Sequence, residues 1–97
     1  MNVQLRKFEI REILKTEQDV AIFLDEAFKE GGSQLLMKCL DLVTREVGMN
    51  VVSDRSGLGK ESLYKTLRPG KKPRFDTMVK ILDSLGLTFT VQVRQQQ

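Results

Sequence analysis

Lys60, Glu61, Ser62, Tyr64 and Lys65 gather five hydrogen-bonding side chains into one short stretch, and Arg68, Lys71 and Lys72 follow just beyond it. This is a set of residues suited to reading a nucleic acid. Lysine can donate to guanine O6 and N7, and glutamate can accept from cytosine N4. Tyr64 can offer its hydroxyl to a phosphate or its ring to a thymine methyl, and Ser62 is short enough to reach the DNA backbone. Arg68, Lys71, Lys72 and Arg74 share a loop interrupted by Pro69, Gly70 and Pro73. Such a basic loop suits phosphate contacts, which supply affinity without sequence information.

The elements that must hold these residues follow from the apolar spacing. Leu63 and Leu67, at i and i+4, predict a helix from about Lys60 to Leu67 that turns Lys60, Glu61, Tyr64, Lys65 and Arg68 outward. Lys60 and Glu61 then occupy the first turn, the part of a recognition helix that meets base edges. Gly57 is the expected pivot, because a tight turn between two helices needs a residue that tolerates positive φ. Ser53, four residues earlier, is expected on the inner face of a preceding helix, where only a small side chain lets the second helix approach. Val52 and Leu58 complete the buried seam, and Asn50 is a candidate N-cap for the first helix. Residues 49–68 therefore read as a helix-turn-helix. Helix–glycine–helix hairpins and solvated basic loops also occur in small domains that bind no DNA. The small residue before the glycine, the leucine spacing after it and the placement of charge favour DNA.

Upstream, Thr16-Glu17-Gln18-Asp19 predicts a helix start, with Thr16 as N-cap and acids in the positive first turn. Val20, Phe23, Leu24, Ala27 and Phe28 form its apolar stripe. Gly31-Gly32 is expected to end that helix and Ser33 to cap the next, which runs to about Val47 with Leu35, Leu36, Cys39, Leu40 and Val43 inward. A fifth helix is expected over about Phe75 to Leu85, with Phe75, Met78, Val79, Leu82 and Leu85 on one face. Residues 87–93, LTFTVQV, then alternate apolar and polar, a strand signature. A lone strand cannot satisfy its backbone. Its partner would be the Val3–Phe8 stretch, its own copy in a second subunit, or a bound protein. A homodimer would set two recognition helices about 34 Å apart, one turn of the duplex.

The runs GMNVVSDRSGLGKESLYKTL (48–67) and GKKPRFDTMVKILDSLGL (70–87) resemble the lambda-repressor-like helix-turn-helix domains, and within them the bacterial addiction-module antidote (antitoxin) proteins. The upstream run KFEIREILKTEQDVAIFLDEAFKEG (7–31) resembles the N-terminal segment of the same subfamily, so the likeness covers about residues 7 to 90. It implies a mainly α fold: a five-helix lambda-repressor-like DNA-binding domain with a short C-terminal β-strand. The division expected is an arm over 1–15, a helical bundle over 16–86 and a strand with tail over 87–97. The resemblance further implies a transcriptional repressor that autoregulates its operon and neutralises a small mRNA-interferase toxin. Its DNA-binding residues would be Asn50, Gly59, Lys60, Glu61, Ser62, Tyr64, Lys65, Arg68, Lys71 and Lys72. Its partners would be double-stranded operator DNA, a second copy and a small basic toxin.

Three positions depart from that pattern. Ser53 stands where alanine is usual. Gly59 stands where a serine or threonine would cap the recognition helix, which weakens the cap by about a few tenths of a kcal/mol. The first helix lacks the glutamine that often clamps a phosphate, with Asn50 the nearest substitute. A prophage-type helix-turn-helix regulator without a toxin would share the same motif; an adjacent toxin reading frame separates the two.

Composition narrows the remaining classes. Ninety-seven residues make one domain with a modest core. Residues 1–47 hold seven Lys/Arg against nine Asp/Glu, whereas residues 48–97 hold nine against four. That asymmetry suits an acidic face for a basic protein and a basic face for DNA. With no histidine, histidine-based acid–base chemistry and the usual zinc sites are excluded. The stretch Gly57-Leu-Gly-Lys-Glu-Ser faintly suggests a phosphate-binding loop, but Asp54 occupies the first required glycine position and Glu61 follows the lysine. No enzyme, cofactor or metal site is therefore expected. The single Cys39 allows no internal disulfide and fits a reducing compartment. Without a membrane-length apolar run or a signal peptide at Met1–Leu5, a cytoplasmic protein is expected.

Overall fold

The computed structural model describes residues 12–95. Four α-helices follow one another: α1 (Glu17–Val47), α2 (Met49–Ser56), α3 (Lys60–Thr66) and α4 (Phe75–Ser84). Two expectations are corrected. Among the described residues the long elements are four helices and not five, and no strand occurs. The expected arm over 1–15, with its Val3–Phe8 edge, lies outside the described residues except for 12–15.

α1 starts as its sequence demands. The Thr16 hydroxyl accepts from the Asp19 amide at 3.1 Å, and the Asp19 carboxylate accepts from the Thr16 amide at 3.1 Å, a reciprocal capping box. The Gly31-Gly32 pair does not end the helix. Only Gly32 leaves helical geometry, at φ 66° and ψ −153°, and the helix resumes at once. Ser33 therefore lies within α1 and starts no new helix. A bend this sharp without a loop needs both glycines: Gly32 for its positive φ, and Gly31 because a Cβ there would stand 2.5 Å from the Leu35 Cβ.

The centre of the molecule is α2, which packs against α1, α3 and α4. Leu40 and Val43 of α1, Val52 of α2, Leu63 of α3 and Ile81 of α4 are all essentially sealed from solvent. Each such side chain contributes about 1.5–3 kcal/mol of apolar burial. Cys39 joins them, and burial pushes its thiol pKa up, so it remains a protonated packing group. In α4 the buried stripe is Met78, Ile81, Leu82 and Leu85. Phe75, expected inward, is 69% exposed because it stands one turn beyond the edge of this core. Its ring meets Phe89 instead, with centroids 5.2 Å apart. Phe28, also expected on a buried stripe, is 54% exposed. The Leu87 amide donates to the Leu82 carbonyl at 2.9 Å and closes the end of α4. Beyond it the chain runs on unpaired, and without a second strand the alternating pattern has no ladder to join.

Two stability predictions follow from this packing. Thr44 is fully buried and its hydroxyl has no hydrogen-bond partner. Thr44→Val keeps the shape and removes the orphaned oxygen, so it is expected to raise urea-unfolding stability by about 1 kcal/mol. A loss of stability would mean that the hydroxyl is satisfied. Gly59 is the N-cap of α3, with φ −64°, ψ 153°, no side-chain cap and open space where a Cβ would stand. Gly59→Ser is expected to add about 0.5–1 kcal/mol, partly by supplying the cap and partly by restricting the unfolded chain. An unchanged or lowered midpoint in the same titration would show that the backbone at this position must stay bare.

Candidate nucleic-acid interface

The three-residue turn between α2 and α3 is tied to α2 by hydrogen bonds. Gly57 adopts the left-handed conformation expected of the pivot, φ 77° and ψ 3°, and donates its amide to the Ser53 carbonyl at 3.1 Å. The Ser53 hydroxyl donates to the Leu58 carbonyl at 2.6 Å, while the Ser56 hydroxyl accepts from the Leu58 amide at 3.2 Å. Ser53 thus does more than stay small. It ties Leu58, the middle residue of the turn, to the helix before it, which an alanine could not do. α3 then begins from Gly59, whose carbonyl accepts from Leu63 at 2.9 Å.

Burial of Leu63 and Leu67 decides the orientation of α3. With those two inward, Lys60, Glu61, Ser62, Tyr64 and Lys65 are all exposed. Arg68, Lys71 and Lys72 are exposed just beyond, where the Lys71 amide bonds the Arg68 carbonyl at 3.3 Å. The expected residues of α3 and of the loop after it are therefore all exposed. Arg74 differs: it is exposed but pairs with Asp76 at 3.3 Å across the start of α4. Asn50 is exposed as well, but it is not an N-cap. α2 starts directly from Gly48 with no side-chain cap, because α1 and α2 are separated by that single residue and Asn50 already lies in the first helical turn.

Two arginines take positions that sequence spacing does not reveal. Arg45, near the end of α1, holds its guanidinium 5.5 Å from the centre of the Tyr64 ring and is itself paired to Asp41 at 2.8 Å. The i,i+4 spacing of Asp41 and Arg45 was a local signal, but the meeting with Tyr64 depends on how α3 docks. Arg45 adds an exposed cation beside the face of α3 and covers part of the Tyr64 ring, which is 41% exposed. Arg55 instead donates to the Ser84 carbonyl at 3.4 Å, so it serves the last turn of α4.

Away from this surface, the first half of α1 exposes Glu17, Asp25 and Glu26, with Lys29 bonded to Asp25 at 2.9 Å. That contact raises the Lys29 pKa, first through the hydrogen bond and then through the charge of Asp25. An open groove of about 1010 Å³ separates the bend of α1 from the basic loop, with Glu30 and Asp41 on one side and Lys71 and Lys72 on the other. Among the described residues, no helix is long and apolar enough to cross a membrane.

Comparison with known proteins agrees with the antidote resemblance. An uncharacterized protein of Haemophilus influenzae (strain ATCC 51907 / DSM 11121 / KW20 / Rd) is 32% identical over 92 residues, covering 95% of each chain. No solved structure matches. A family model described as "Probable addiction module antidote protein" matches residues 4–93, nearly the whole length, and the chain belongs to that family.

Proposed function

We propose that this chain is the antitoxin of a toxin–antitoxin module and that it also binds the operator of its own operon, as a homodimer, to repress transcription. Membership of the antidote family supports the antitoxin role and implies a toxin partner. The observation that carries the DNA-binding half is the exposure of Lys60, Glu61, Tyr64 and Lys65 on α3 and of Arg68, Lys71 and Lys72 directly after it. α3 is the helix that enters the major groove, and the hydrogen-bonded turn at Gly57 fixes its angle to α2. The toxin is a small basic protein of the mRNA-interferase class, which suits the acids on the first half of α1. The chain catalyses nothing in this reading: Gly57 and Lys60, which gave the faint likeness to a phosphate-binding loop, belong to the turn and to the first turn of α3.

Lys60→Ala tests the base-reading face. It is expected to cost about 1–3 kcal/mol on the operator, to relax preference at one or two base pairs, and to change affinity for random DNA far less. Fluorescence anisotropy on the two duplexes measures this, and an equal loss on both would place Lys60 on phosphates. Lys71→Ala and Lys72→Ala test the anchor. Affinity for every sequence should fall, and the slope of log K against log salt should flatten by roughly one unit per lost phosphate contact. An unchanged slope would put the loop away from DNA.

A further inference from the structure

Arg45 and Tyr64 come from different helices and both are exposed, yet their meeting is closely determined. Arg45 follows Val43 and Thr44, which are sealed in the core, and Tyr64 follows Leu63, sealed as well. The backbone is thus anchored beside each of them. α3 packs on α2, and the guanidinium, 5.5 Å from the ring centre, reaches it from α1. A second contact fixes the arginine: its Nε donates to Asp41 Oδ1, one turn earlier, at 2.8 Å. An ion pair with side chains 51% and 27% exposed contributes little to stability. Asp41 also offsets the charge that Arg45 would show to a phosphate. Neither stability nor charge accounts for the arrangement. Geometry does, because an arginine can be bonded through its edge while its planar face stacks on an aromatic ring.

We propose that Arg45, clamped by Asp41, is a positioning residue for operator recognition: it holds the Tyr64 ring in its DNA-bound orientation before DNA arrives. The role rests on α3 being the helix that meets DNA, and it adds a residue of α1 that acts through Tyr64. Tyr64 stands four residues after Lys60, so the two lie on one strip of α3. A side chain ordered in advance loses no rotamer freedom on binding, which tightens association with the sequence that needs that orientation. Random DNA, held through its phosphates, makes no such demand.

Tyr64 is the single tyrosine of a chain without tryptophan, so intrinsic fluorescence reports this ring alone. Without DNA, the wild-type anisotropy is expected to decay with the tumbling of the whole molecule. Arg45→Ala and Asp41→Ala are expected to add a faster component from ring motion. Alanine favours helix, so both changes leave α1 formed. Each variant should lose roughly three- to tenfold in affinity for the promoter fragment of its own operon. Affinity for a random duplex should change far less, and the salt slope should stay the same. In a Tyr64→Ala background neither change should cost anything further. A ring equally mobile in wild type and Arg45→Ala would overturn the proposal while leaving α3 as the DNA-reading helix. So would promoter affinity that survives the freed ring, or additive losses in the Tyr64→Ala background. Equal loss on both duplexes with a flatter salt slope would make Arg45 a phosphate contact instead. Tighter binding of all DNA by Asp41→Ala would show that only charge counts, which also refutes positioning. A wild type that binds promoter and random DNA alike would remove the recognition role of α3 itself, and that of Arg45 with it.

Discussion

α2 and α3 are eight and seven residues long, far below the roughly 12–15 at which an isolated helix becomes even marginal in water. Neither persists on its own propensity, and neither has a side-chain N-cap. They exist because Val52 and Leu63 are driven into a core made by Leu40, Val43 and Ile81. Everything the proposed interface requires follows from that burial. With Leu63 and Leu67 inward, the remaining faces of α3 must be outward, and the polar residues on them become a surface by geometry. The Ser53–Leu58 hydrogen bond and the left-handed Gly57 then set the angle between the two helices. The interface is thus built on an apolar anchor with a hydrogen-bonded hinge, and its charged residues contribute little to holding it in place.

Where structure is decided within a few residues, the sequence was readable. The Thr16 and Asp19 cap, the Gly57 pivot, the uncapped Gly59 and the outward set on α3 each depend on spacings of four residues or fewer. Where the outcome depends on what arrives from elsewhere, it was not. Gly31-Gly32 has the composition of a helix stop, and only the absence of any intervening loop makes it a bend. Phe75 continues the α4 stripe by periodicity, but the core ends before it, while the fully buried Ile81 is decided by the position of α2. Residues 87–93 carry the alternation of a strand, but a strand is a relation between two segments, and alternation specifies only one of them. Arg45 and Tyr64 lie nineteen positions apart, and no local pattern joins them.

The distribution of charge also constrains how copies of this chain can meet. The first half of α1 is acidic, and the surface of α3 and its loop is basic. Two such faces attract one another between molecules, and a head-to-tail contact of that kind does not close: it propagates into open chains. At physiological ionic strength the attraction between exposed charges fades beyond about 8 Å, which weakens such chains without selecting an alternative. Keeping the two signs on separate elements of a chain of 97 residues is useful only if each is spent on a different partner, which the proposed function supplies: a basic protein for the acids of α1 and DNA for the cations of α3 and its loop.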